Sequence, residues 1–154
     1  MATKKTGGTA NAKVVDGLRG FVADTFALMA KTQGCHWNMR GPNFIGLHKL
    51  TETQYGELFK AVDDLAERLR ALDALAPTGL SEMDELASLE DAPLQPETLA
   101  AAELLAGENT LLASRATKLA ALAEDEEDPV THDMLVHRVE VHQKAAWLLR
   151  SHVA

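Results

Sequence analysis

Two pairs of side chains in this sequence have the types and the spacing of metal ligands. His48 stands four residues before Glu52, and Asp63 four residues before Glu67. Side chains at i and i+4 of a helix are neighbours, so each pair can share one ion. Imidazole with carboxylate suits Fe(II), Mn(II) or Zn(II) rather than Cu(I), since no thiolate or thioether is included. Acids on a helix face are usually only solvated, and a histidine on a stripe is usually a satisfied core residue. Against that reading, Ile45 and Phe59 fall on the same face as the two pairs. Fifteen residues separate His48 from Asp63, about 22 Å along a straight helix, whereas metal–ligand bonds span about 2.0–2.2 Å. One chain therefore cannot bring both pairs to one ion. A two-fold copy laid antiparallel against it can, because His48 then approaches the other copy's Asp63 and Glu67.

The element that must hold these residues is a long helix over about 43–74. Its apolar positions Tyr55, Leu58, Val62, Leu65, Leu69 and Leu72 alternate three and four apart, the buried stripe of an amphipathic helix. At about 100° per residue, Asp63 and Glu67 lie roughly 140–180° from that stripe, and His48 and Glu52 roughly 80–120° on the same side. Before it, Leu18, Val22, Thr25, Met29 and Thr32 mark a helix over about 12–38, and His36 continues that spacing. Gly41-Pro42 separates the two helices. After Pro77-Thr78-Gly79, Ser81-Glu82-Met83-Asp84 reads as a capping-box-like start of a short helix ending before Pro93. A third long helix is expected over about 96–124, with Leu99, Leu105, Leu112, Leu119 and Leu122 as its apolar markers and Gly107 weakening its middle. Asp128 reads as the N-cap of a last helix over about 129–151, with Pro129 at its first position. The stripe there is Leu135, Val139, His142, Ala146 and Leu149. Four long helices with one long crossover make the ferritin-like variant of a four-helix bundle.

The whole sequence, 154 residues and 46% hydrophobic, can bury one core. The division expected is a flexible polar tail over 1–11 and a single helical domain over 12–154. A formal charge of −8 attracts cations and repels nucleic acid, so DNA contact needs a local exception. The tail carries one, Lys4 and Lys5 with Lys13 just beyond. A lone cysteine, Cys35, excludes an internal disulfide framework and suits a reducing cytoplasm; it is expected to be buried and inert. No apolar run long enough to span a membrane and no secretory signal is seen. His132, His137 and His142 recur every five residues, so they share no helix face and are assigned no site.

The segment H-W-N-x-R-G-P-x-F from His36, followed by H-x3-E at His48, ten residues, and D-x3-E at Asp63, resembles the Dps family of mini-ferritins. H-Q-K-A-A-W-L-L-R, His142 to Arg150, resembles that family's last helix, and the likeness runs from about Val14 to Ser151. The resemblance implies a dodecameric shell with twelve ferroxidase centres at two-fold interfaces, each taking two irons. His36, His48 and Glu52 would come from one subunit and Asp63 and Glu67 from its mate. Where the family more often has Asp, this chain has Glu52, the same carboxylate on one more methylene. Trp37 would sit beside the centre and absorb stray oxidising equivalents. The run Glu124 to Asp128, with Asp133, would line three-fold pores for Fe(II), Asp125, Asp128 and Asp133 being the residues of interest.

Three functions compete. In the first, Fe(II) is oxidised by hydrogen peroxide at the intersubunit centre and stored as ferric mineral, protecting DNA from oxidative damage. In the second, the protein is associated with the nucleoid and compacts DNA weakly through Lys4, Lys5 and Lys13. In the third, it is a cation-binding bundle of lower oligomeric state.

Overall fold

A computed structural model of the protein describes residues 10–91 and 96–154, with side-chain surroundings from residue 12. Five helices follow in order: α1 Ala10–Asn38, α2 Phe44–Ala71, α3 Leu80–Leu86, α4 Thr98–Asp125 and α5 Pro129–Ser151. α1 lies against α2 and α4, α5 lies against α4, and α2 meets α5 to close the ring, while α3 rests on α1. Short turns join α1 to α2 and α4 to α5, and the segment holding α3 is the one long crossover. The fold is the expected all-α, ferritin-like bundle. The tail lysines Lys4 and Lys5 lie outside the described residues; Lys13 is exposed on the first turns of α1.

The expected stripes point inward, with one redistribution. Leu18, Val22, Leu65, Leu69, Leu105, Leu112, Leu135 and Leu149 are fully or almost fully buried. On α4, however, Leu99 is substantially exposed, and the inward stripe is mostly alanine: Ala101, Ala102, Ala106, Ala113, Ala116, Ala120 and Ala123. Small side chains bring α4 close to its neighbours, so leucine spacing alone misplaced its first turn. Gly17 serves the same end on α1, where a Cβ would come within 2.5 Å of Leu119 Cδ1.

Two helix ends differ from expectation for local reasons. α2 stops at Ala71 rather than near Ala74, because Asp73 takes a left-handed conformation (φ 61°) and the Ala74 amide closes back on the Leu69 carbonyl. α3 ends at Leu86, well short of Pro93. Beyond it the amides of Ser88 and Leu89 donate to the buried carboxylate of Asp24, at 2.6 and 3.0 Å, and Arg115 donates to the same group. The expected capping box is displaced as well. Glu82 reaches back to the amide of Thr78 at 2.9 Å, and Ser81 caps nothing. Asp128 does cap α5, accepting from the Thr131 amide.

Candidate metal centre

The turn between α1 and α2 sets the position of both histidines. Gly41 adopts φ +124°, which side-chain-bearing residues rarely reach, and a Cβ there would lie 3.1 Å from Thr98 Oγ1. The turn is then pinned to the start of α4. The Arg40 amide donates to the Pro96 carbonyl, the Thr98 amide to the Arg40 carbonyl, and the buried Thr98 hydroxyl to the Pro42 carbonyl. Asn43 in a left-handed conformation starts α2 and donates to the His152 carbonyl.

This turn brings the last turn of α1 alongside the first turn of α2. The rings of His36 and His48 stack with centroids 3.8 Å apart and planes 16° from parallel. Nδ1 of His36 lies 2.9 Å from the His48 carbonyl oxygen, and Nδ1 of His48 lies 3.1 Å from the His36 carbonyl oxygen. A carbonyl oxygen only accepts, so both Nδ1 atoms carry their protons, and Nε2 is the ring nitrogen that each histidine, as a neutral imidazole, would offer to a metal. Metal-ligating histidines are oriented in this way, by a hydrogen bond to the ring nitrogen that does not bind. Thr51, fully buried one turn after Leu47, reinforces it with an oxygen 3.3 Å from His36 Nδ1, and the edge of Tyr55 meets the His36 ring. Thr51 was not among the residues singled out from the sequence, although it falls three positions after His48.

Glu52, Asp63 and Glu67 are exposed on α2, which runs unbroken for 28 residues. The separation of His48 from Asp63 thus stays at about 22 Å. One chain brings His36 and His48 together and leaves Asp63 and Glu67 far along the helix; among the described residues no three His, Cys, Asp or Glu side chains form a cluster fit for an ion. The exposed stripe is continuous. Ile45 and Phe59, on the same line as Glu52, Asp63 and Glu67, are 62% and 69% exposed, and Trp37 beside His36 is 67% exposed. Large apolar groups that open to water, interleaved with ligand-type acids, mark a surface built to be covered.

The remaining sequence candidates are distributed as follows. Asp125 and Asp133 are exposed near the α4–α5 turn. Asp128 is half-buried and committed, accepting from Thr131 and from Arg68 NH2 at 2.8 Å. Burial alone would push its carboxyl up, but the Thr131 hydrogen bonds and the Arg68 charge outweigh it and hold it below the ordinary aspartate value. Cys35 is buried, and burial pushes its thiol up, only partly offset by Lys31. His132 donates to the Ala120 carbonyl and His137 is exposed. His142 lies on the inward stripe of α5, as its spacing predicts. It is completely buried between α4 and α5, bonded to Asn109, a residue the sequence reading passed over.

A ferritin-like domain model matches residues 15–154. A DNA protection during starvation protein of Listeria innocua is 34% identical over 132 residues, covering 84% of this chain and 85% of that one. The chain belongs to the Dps family of ferritin-like proteins. Dps from Listeria monocytogenes superposes with a TM-score of 0.85 at 32% identity, over 90% of this chain and 91% of that one. Dps from Thermosynechococcus elongatus reaches a TM-score of 0.90 at 26% identity, over 94% and 92%. An uncharacterised low temperature-induced protein of Nostoc is 30% identical over 142 residues, 91% of this chain and 79% of its own. No helix among the described residues of this Dps chain is long and apolar enough to cross a membrane.

Proposed function

We propose that this protein is a ferroxidase that oxidises Fe(II) with hydrogen peroxide between paired subunits and stores the ferric product inside a shell of twelve. The observation that carries this reading is the mutual locking of His36 and His48. It leaves Nε2 of each neutral ring to a metal, at one end of an exposed α2 stripe that ends in Asp63 and Glu67. Two-fold symmetry completes the set. The midpoint of His48 and Glu67 along α2, and that of Glu52 and Asp63, both fall between Glu57 and Leu58. An axis there brings one copy's His36, His48 and Glu52 to the other's Asp63 and Glu67 at both ends. Gly56 sits beside that axis, exposed, with room around it for two helices to approach. Trp37, Ile45 and Phe59 then leave water in the contact.

Two Fe(II) ions are substrate here. Each gives one electron to a single peroxide, the O–O bond breaks, and two protons complete two water molecules. Because both electrons leave together, no hydroxyl radical is released. Glu52, Asp63 and Glu67 compensate the cationic charge, which grows as iron becomes ferric, while His36 and His48 fix the direction of approach. Trp37 stands next to the centre as a sink for stray oxidising equivalents. Exposed Asp125 and Asp133 draw Fe(II) toward the pore, and Asp128, engaged by Arg68 and Thr131, shapes the pore's wall. Removing peroxide and free Fe(II) protects DNA without contact; Lys13 is the one member of the tail cluster whose exposure is described.

Anaerobic Fe(II) titration followed by peroxide tests the reading. The parent is expected to bind two Fe(II) per chain and oxidise them rapidly. D63A/E67A leaves the core of the chain and the apolar contact groups Trp37, Ile45 and Phe59 unchanged, so it should assemble yet lose the fast phase. Native rates in an intact D63A/E67A shell would remove the assignment.

A further inference from the structure

Between α2 and α5 the bundle holds a polar network, running from a partly exposed carboxylate to a buried imidazole, that the chemistry on the outer face of α2 does not use. Arg138 of α5 is buried, and its guanidinium grips the carboxylate of Glu57 on α2, with NH2 3.0 Å from Oε2. The same NH2 lies 3.3 Å from Nε2 of the fully buried His142. The imidazole's state follows from its other side. Asn109 uses its Nδ2 on the Leu105 carbonyl at 2.8 Å, so its Oδ1 accepts from His142 Nδ1 at 2.8 Å. His142 Nε2 is therefore a lone pair. A carboxylate oxygen from one helix and an imidazole nitrogen from another converge on a single cationic atom.

Substitute a metal ion for that nitrogen and each donor needs to close by only about 1 Å to reach bonding distance. Inward-facing glutamate and histidine on different helices are what bundle proteins use to hold such ions. Arginine differs from a metal in two ways. It never loses its charge in a protein, and its hydrogen bonds point only in fixed directions. Its Nε finds no partner among the described residues although it is buried, so the group is not placed to satisfy all its donors.

We propose that Arg138 is a built-in cation that fills a latent transition-metal site between Glu57 and His142, and thereby confines iron to the intersubunit face. The proposal rests on the ferroxidase reading only in naming iron as the ion kept out. Without the guanidinium, the partly exposed Glu57 carboxylate and the buried lone pair of His142 face one gap with no cation between them, a negative charge and a donor that an incoming ion would meet together.

Cobalt(II) titration with visible absorption tests this, in the parent and in the D63A/E67A background. R138M is expected to bind one more Co(II) per chain than its background, and R138M/H142A to lose that ion again. An R138M protein with native helix content and unchanged Co(II) stoichiometry would overturn the proposal. If R138M does not fold, R138Q removes the charge while keeping an amide beside Glu57, and the same extra ion is expected. A parent that already holds a Co(II) removed by H142A would overturn it equally. Loss of Co(II) on introducing D63A/E67A reports on the surface centre alone, so the two readings fail separately.

Discussion

His142 shows how one buried residue ties stability to pH. Burial first, and then the neighbouring Arg138 charge, lower its pKa to about 3 from an ordinary 6.5. In the folded chain it stays neutral, whereas the unfolded chain takes up a proton as pH falls below about 6.5. Its stabilising effect is thus complete above that value and declines as pH drops toward 3, by up to about 1.4 kcal/mol per pH unit. H142Q should unfold more easily at pH 7 yet show a flatter fall of Tm between pH 6 and 4 than the parent. Parallel slopes in a thermal scan series would contradict this. Asp128 works in the same sense at lower pH. Its carboxyl is held below 3.8, so its cap is effective above that value and fails as pH falls through the lower folded one. D128A should cost about 0.5–2 kcal/mol at neutral pH, and denaturant titration should show the gap closing in acid.

At the scale of elements, the α1–α2 turn is what aligns the two histidines. G41A forces an alanine into φ +124° against the Thr98 hydroxyl, a strain of order 1–3 kcal/mol. The turn is expected to shift and the His36–His48 pair to loosen, giving weaker Fe(II) binding with near-native helix content by circular dichroism. T98V, which removes the hydroxyl from the Pro42 carbonyl, should act in the same direction by about 0.5–1.5 kcal/mol, the net worth of one hydrogen bond, since Pro42 is exposed and water can reach its carbonyl. The helices themselves were legible because their periodicity and breakers agree: Gly41-Pro42, Asp128-Pro129 and the leucine stripes of α1, α2 and α5. The end of α3 was not, because it depends on Asp24, sixty-four residues earlier, collecting the amides that the short helix leaves free.

For the whole molecule, the decisive surface is the exposed stripe of α2. A Cβ on Gly56 meets nothing within its own chain, so G56W should leave the folded chain intact while blocking the approach of a second α2. Size-exclusion chromatography is expected to move the protein from about twelve times 16.6 kDa toward the mass of one chain, with fast iron oxidation lost together with assembly. A G56W protein that still formed the parent particle would displace the two-fold axis from this position.

The amino-acid sequence by itself determined the helix order, the crossover and the identity of the ligand-type side chains. It also determined that His48 and Asp63 cannot meet within one chain, since 1.5 Å per residue is a property of any α-helix. Only the tertiary structure decided that His36 and His48 hold each other's protons, that Asp128 is spent on Arg68, and that the bundle interior is closed by an arginine. Those facts join residues 12, 60 and 81 positions apart. No local periodicity records such distances, because hydrogen-bond partners across a core are chosen by packing and not by spacing along the chain.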